Sequence, residues 1–168
     1  MDRAELQAIQ GPLKDRYRSD AAAALVTLRA HGKLDEEQIA CSVETGRALV
    51  EAGLHPATGG TGTLACSGDM LLEALVACAG VTLRSVVTSM ELDVSGSVLA
   101  EGDLDFRGTL GVDRDAPVGF TAIRLRFELA SDAAEEELAK LIERTERYCV
   151  VGQTLARGVP VAFSLKRA

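Results

Sequence analysis

The segment from Ser67 to about Met90 constrains the fold of this chain most strongly. Its middle is apolar almost all round and is interrupted only by Glu73 and Arg84. A helix that is apolar on every side belongs in a protein core, where other elements surround it. We therefore predict a central core helix, with Ser67 as its N-cap and Asp69 in its first turn, where a negative charge complements the helix dipole.

The length and charge of the chain limit the classes of function. With 168 residues it is long enough for one domain with a core, which we place at residues 21–168 after an N-terminal arm or short helix at 1–20. The formal charge of −7 provides no basic field to attract phosphates, and basic residues do not alternate with aromatic ones. We therefore expect no nucleic-acid partner.

The N-terminal residues, the longest uncharged run and the cysteines suggest the compartment of the protein. Residues 1–6 lack the charged-then-apolar layout of a secretory signal, and the longest uncharged helical run, residues 74–83, is much too short to span a bilayer. We expect a cytoplasmic protein with no membrane partner. Its four cysteines should be free thiols, and none has zinc-site spacing. With only two histidines, we expect no metal and no cofactor.

Alternating apolar and polar residues predict strands on both sides of the core helix in the sequence. These strands cover residues 25–29, 39–43, 47–54, 94–106 and 123–129, with an edge strand at 161–165 and a turn at 31–37. One face of the sheet at 123–129 should be exposed, because arginine and glutamate alternate there with apolar residues.

A second helix is predicted after residue 132. Residues 132–135 have the form of a capping box, and Gly152 weakens the helix before a short helical piece that ends near Ala156. The apolar positions on one face of this helix are Leu138, Leu141, Ile142 and Cys149. Cys149 is therefore expected to be buried.

Cys78 in the core helix and Cys149 in the second helix are candidates for thiol chemistry. A cysteine in an apolar helix is most often an inert side chain, since burial disfavours the thiolate. Together with a second cysteine on another buried face, it nevertheless suggests thiol chemistry. The core-helix dipole cannot stabilise a Cys78 thiolate, because Cys78 lies eleven residues after Ser67, roughly 16 Å along the axis. A cation from another element is therefore required.

The remaining candidates have simpler interpretations. Cys66 lies at a helix N-terminus, which favours thiolates, but an ordinary loop cysteine is the stronger interpretation, and Cys41 is a strand core residue. Asp69 and Glu73 are helix charges that could also orient a basic group. His55 is expected to make a loop hydrogen bond and not to act as a base. A hydrolase using Cys78 or Ser67 is disfavoured, because neither has a paired histidine.

Three segments resemble the OsmC/Ohr family. They are the Gly-rich loop at residues 55–63, the run GDMLLEALVAC at 68–78 and the run YCVVGQTL at 148–155. The order of elements matches over residues 25–165. The resemblance implies an α+β fold in which two central helices pack against strongly curved antiparallel sheets, in an intertwined homodimer with active sites at the subunit interface.

The resemblance also implies thiol-dependent reduction of organic hydroperoxides, in defence against oxidative stress. Cys78 occupies the position of the family's peroxidatic thiol, and Cys149 that of the cysteine that resolves it as a disulfide. Cys78 would attack the distal peroxide oxygen to give an alcohol and a sulfenic acid, with which Cys149 would condense. An external dithiol, for which a lipoyl group is one candidate, would reduce the disulfide.

Some positions depart from the family pattern. An acidic residue one turn into the core helix and an early arginine help to position the thiolate in that pattern, and here Gly68 takes the acidic position. The candidate arginines are Arg18, Arg29 and Arg47. Val150 and Gln153 replace the proline of Cys-Pro-Val and the asparagine of Asn-Thr-Leu. These departures keep an alternative open: a non-catalytic dimeric binding or stress protein that holds apolar ligands in an interface pocket.

Overall fold

The computed structural model describes residues 3–34, 41–43, 52–165 and 167. Its elements are α1 (Arg3–Ser19), β1 (Leu25–Leu34), β2 (Cys41–Val43), α2 (Ser67–Ser89), β3 (Ser95–Asp105), α3 (Phe106–Thr109), β4 (Phe120–Ala130), α4 (Glu135–Tyr148) and α5 (Val150–Arg157). Short 3₁₀ turns lie at Ala21–Ala24 and Pro56–Thr58. The α+β prediction is confirmed. Much of the strand predicted at residues 47–54 lies outside the described residues.

The strands form one antiparallel sheet in the order β2-β1-β3-β4. Along β4, apolar side chains from Ile123 to Leu129 are half-buried, while Arg124, Arg126 and Glu128 between them are exposed. This alternation confirms that one face of the sheet is exposed to solvent. The other face carries the apolar side chains that meet the helices.

Helix α2 is the central element, as its apolar sequence predicts. It packs against β1, β3, α4 and α5, and residues such as Leu72, Val76, Ala79 and Leu83 are fully buried. By length and composition α2 is also apolar enough to cross a membrane, although its uncharged run at residues 74–83 is too short to do so alone. Core helices of globular proteins pass the same test, and the packing of α2 is that of a core helix.

Both predicted helix starts require correction. The N-cap of α2 is Cys66, which makes no side-chain capping bond, and Ser67 is already in the helix. Helix α4 begins at Glu135, where the Glu137 carboxylate accepts the N–H of its N-cap residue at 3.1 Å. The start lies later than predicted because Ser131 fixes the turn that precedes the helix. Its hydroxyl donates to the Asp93 carbonyl at 2.6 Å and accepts the Ala133 N–H at 3.1 Å.

Two strand predictions were wrong: one strand is longer than predicted, and one is absent from the described residues. Strand β1 continues to Leu34, through part of the predicted turn at 31–37, because its backbone pairs with β3 as far as Lys33 opposite Ser97. The predicted edge strand at residues 161–165 is not a strand. A strand requires a neighbouring edge for its backbone hydrogen bonds, and no described strand pairs with this segment.

Helix α1 ends at Ser19, where the sequence predicts, and packs on the Gly-rich loop. The buried Tyr17 hydroxyl donates to the Ala57 carbonyl at 2.6 Å, and the Gln10 amide donates to the Thr58 carbonyl at 3.2 Å. Gly59 sits at φ +95°, a conformation that favours glycine, and its Cα faces Ile9 of α1 too closely for a side chain. The loop thus serves as a docking site for α1.

Candidate active site

Cys78 lies in the middle of α2 and is half-buried. It faces the start of α5, and its sulfur accepts the backbone N–H of Val151 at 3.5 Å. This contact spans 73 residues of sequence and comes from the packing of α5 against α2. The Cys78 sulfur therefore meets a polar donor although its helix is embedded in apolar side chains.

Cys149 lies at the junction of α4 and α5 and is 2% exposed. Its N–H donates to the Thr145 carbonyl at 2.9 Å and closes α4, while its carbonyl accepts the Gln153 N–H at 2.8 Å and opens α5. Its backbone is extended, with φ −70° and ψ 103°. The burial prediction is confirmed, but the helix breaks at Cys149 and not at Gly152. The physical reason is that the Cys149 sulfur itself caps α5, by accepting the Gly152 N–H at 3.4 Å.

The structure brings the two thiols together at the amino terminus of α5. Burial raises the pKa of Cys149, the N–H of Gly152 lowers it, and a hydrogen bond and charge interaction with Cys78 raise it further. The sequence separation of 149 − 78 = 71 residues is closed by the contacts of α2 with α4 and α5. Chemically, neighbouring thiols can pass between a reduced pair and a disulfide.

An apolar groove of about 560 Å³ reaches Cys149. It lies between β4, α2 and the α4–α5 junction. Its apolar lining includes Leu75, Ala79, Ile123, Leu125, Phe127 and Ile142. Cys149 lines this groove and Cys78 does not, so within the described residues the groove contacts one thiol of the pair.

The other predicted candidates lie apart from this pair or have local partners. The pKa of Asp69 is raised by burial, against the influence of His55, and the pKa of Glu73 is raised by burial and by Asp69. His55 accepts the Ala57 N–H at 3.0 Å and stacks on Phe106 with ring centroids 5.0 Å apart. The prediction of a loop hydrogen bond for His55 is therefore confirmed. Cys66 is half-buried at the N-cap of α2.

The arginine that the resemblance implies is not identified by the described side chains. Arg18 pairs with Asp15 at 2.6 Å on an exposed part of α1. The side chains of Arg29, Arg47 and Cys41 lie outside the described part of the chain. Across the described residues, no group of three histidine, cysteine or acidic side chains is placed to hold a metal ion.

Sequence reasoning missed the backbone amides of Val151 and Gly152 as components of the site. Amide groups leave no mark in a residue pattern. The available signal was Gly152 itself, three residues after Cys149, because a residue without a side chain permits close approach. The sequence suggested only that it weakens a helix.

The raised pKa of Cys149 predicts a specific pH dependence of stability. Above about pH 8.5 an unfolded cysteine loses its proton, whereas the folded protein keeps Cys149 protonated until its higher pKa is reached. The unfolded state then binds fewer protons, so the free energy of unfolding falls as the pH rises through this window. Urea unfolding between about pH 8 and pH 10 should show a flatter decline for Cys149→Ser than for the unmodified protein. If the free energy of unfolding declined equally with pH in both proteins, the raised pKa of Cys149 would be contradicted.

Comparisons with known proteins identify the family and support the fold. The family model for OsmC-like protein matches residues 60–164, more than half of the chain and both cysteines of the pair. The fold is similar to the crystal structure of an OsmC-like hydroperoxide resistance protein from Jannaschia sp. CCS1, at 17% sequence identity and a TM-score of 0.58. The similarity covers 86% of this chain and 95% of that one. No curated protein sequence matches the chain significantly. The family match and the shared α+β fold together show that the chain belongs to the OsmC-like family.

Proposed function

We propose that this protein is a thiol-dependent peroxidase that reduces organic hydroperoxides to alcohols. The observation that carries the proposal is the adjacency of the Cys78 and Cys149 sulfurs at the start of α5. Membership of the OsmC-like family suggests hydroperoxide resistance, and the Jannaschia relative carries that description. Two neighbouring thiols can carry a peroxide-reducing cycle without a cofactor, because the sulfenic acid formed on one condenses with the other to a disulfide.

In the proposed cycle Cys78 is the nucleophile and Cys149 the resolving thiol. The Cys78 thiolate attacks the distal peroxide oxygen, the O–O bond breaks, and the alkoxide takes a proton to leave as the alcohol. Cys78 is now a sulfenic acid. The Cys149 sulfur attacks the Cys78 sulfur, an S–S bond forms, and water leaves. A dithiol reductant then exchanges with the disulfide, is oxidised to its own disulfide and restores both thiols.

The apolar surroundings of the pair favour an organic substrate over hydrogen peroxide. The groove that reaches Cys149 is lined mostly by apolar side chains, and apolar ligands gain free energy from leaving water for such a surface. An alkyl or aryl hydroperoxide can bury its organic part there, whereas hydrogen peroxide has none to bury. We therefore propose small organic hydroperoxides as the substrate class.

The test compares the consumption of cumene hydroperoxide and hydrogen peroxide by the reduced protein, with a dihydrolipoyl compound as reductant. We expect faster turnover of cumene hydroperoxide and, without reductant, one disulfide between Cys78 and Cys149 in peptide mass spectra. A folded protein with free thiols that turns over neither peroxide would overturn the proposal. Hydrogen peroxide as the better substrate would overturn the substrate class alone. We also propose a cytoplasmic location, where dithiol reductants are kept reduced.

A homodimer is part of this proposal, and the exposed C-terminal segment supports it. Val161, Phe163 and Leu165 are 76%, 94% and 86% exposed. Apolar side chains in such a row mark an interaction surface. A second copy of this chain is the proposed occupant, since the family resemblance implies an intertwined dimer.

Phe163→Asp is accordingly expected to weaken dimerisation at least tenfold, because aromatic residues dominate interface free energies. Sedimentation over a concentration series measures the dissociation constant. Val118→Asp is the matched control: its side chain is 77% exposed, but it lies in the loop before β4. Equal dissociation constants for both variants would show that residues 161–165 are not in the interface.

The alternative function, an apolar-ligand binding protein, is favoured by the groove and by Gly68 in the acidic position of the family pattern. It predicts that fatty or aromatic compounds raise the melting temperature of a protein that turns over no hydroperoxide. Turnover that requires Cys78 would exclude a purely binding role. The same two assays therefore separate the two functions.

A further inference from the structure

The first turn of α5 presents backbone donors to both sulfurs of the pair. Val151 donates its N–H to Cys78 and Gly152 donates its N–H to Cys149. N–H groups in the first turn of a helix have no acceptor within that helix, so they are available to an outside group. The positive end of the α5 dipole lies at the same point and favours negative charge. A Cys78 thiolate would therefore meet a donor and a partial positive charge from another element.

We propose that the Val151 amide, at the positive end of α5, stabilises the Cys78 thiolate and so supplies part of the activation that the family resemblance assigns to an arginine. This inference rests on the proposed peroxidase function, which it deepens by naming what makes the nucleophile reactive. Cys78 is too far from the start of its own helix for that dipole to act. The packing of α5 on α2 supplies a second helix start at the required place.

Gly152 is the positioning residue of this arrangement. A Cβ added there would lie 3.2 Å from the Cys149 sulfur and 3.7 Å from Leu75 Cδ1. The glycine therefore lets the Cys149 sulfur fold back onto the first turn of α5, where it caps the helix beside Cys78. The same turn thus serves both thiols, one through each amide.

The test removes the Val151 N–H with Val151→Pro and uses Val150→Pro as its matched control. The control keeps the Val151 N–H. It is tolerated sterically because Val150 is 70% exposed and at the first helical position, and Cys149 before it is already extended, as a residue before proline must be. Both variants carry Cys149→Ser, so that Cys78 reacts without a thiol neighbour. The readout is the alkylation rate of the Cys78 peptide by iodoacetamide, followed by mass spectrometry.

At about pH 7 we expect Val151→Pro to slow alkylation of Cys78 roughly tenfold or more, the size of a lost hydrogen bond to a charged group, and the control to change it less than about twofold. At a pH high enough to ionise the thiol fully, the difference should disappear, because accessibility is unchanged. Equal rates for the two variants at pH 7, or a deficit that persists at high pH, would overturn the proposal.

Proline at 151 also disfavours the helical conformation of Val150 and could unwind α5. A second variant avoids this problem. Cys149 allows peptide 149–168 to be joined by ligation to a recombinant thioester of residues 1–148, with an ester in place of the amide at 151 or, as control, at 150. Both ligated proteins keep the Cys149 thiol, so they are compared only with each other. Slower alkylation of Cys78 with the ester at 151 alone is expected, and equal rates would overturn the proposal. Alkylation needs no peroxide turnover, so failure of the proposed function would be seen separately.

Discussion

Cys78→Ser is expected to reduce cumene hydroperoxide turnover roughly a thousandfold or more, to the rate of the uncatalysed reaction with the reductant. The hydroxyl of serine keeps the volume of the thiol but is a far weaker nucleophile, because it is not ionised near neutral pH. The protein should otherwise be intact, since Cys78 is half-buried and the substitution is nearly isosteric. Turnover is measured by loss of hydroperoxide in the presence of the dithiol.

Two cysteine variants give this result its meaning. Cys66→Ser is the matched control, because Cys66 is also half-buried and is the N-cap of α2, the helix that carries Cys78, and it should retain activity. Cys149→Ser should stop multiple turnover yet allow one, leaving a Cys78 sulfenic acid that a 1,3-dione reagent labels. Full activity of Cys78→Ser would refute the mechanism, and labelling at Cys66 would move the nucleophile there.

Leu72→Ala is expected to lower the free energy of unfolding by about 3 kcal/mol. The side chain of Leu72 is fully buried where α2 packs against the rest of the core. Its truncation leaves a cavity that a closely packed core cannot close. Peroxide turnover should fall as well, since α2 also carries Cys78. Urea unfolding at fixed protein concentration measures the difference.

Leu71→Ala is the control, because it makes the same chemical change one residue earlier on the same helix. Leu71 is 36% exposed, so its truncation should cost less than about 1 kcal/mol. Equal losses for the two variants would show that the described packing of α2 does not determine which side chains are buried. A larger loss for Leu71→Ala would point to burial of Leu71 against another chain.

Elements with strong periodic patterns could be predicted well. The apolar segment at Ser67–Ser89 and the alternation along Phe120–Ala130 define a core helix and a one-sided strand, because hydrophobic burial acts directly on these patterns. Helix starts were less accurate. Cys66 and Ala134 are the N-caps in place of the predicted polar residues, since tertiary bonds such as those of Ser131 decide where the chain turns.

The sequence by itself determined the central helix and the two candidate thiols, because these depend on residue type and local periodicity, while the α+β class followed from the family resemblance. Only the tertiary structure decided that Cys78 and Cys149 are neighbours and that the amides of Val151 and Gly152 face their sulfurs. The contacts of Cys78 with Cys149 and with the Val151 amide join residues more than 70 positions apart, whereas the contact of Gly152 with Cys149 spans three, and both amides are backbone groups of a kind that every residue but proline has. Their placement comes from the packing of α5 on α2, which no local pattern encodes.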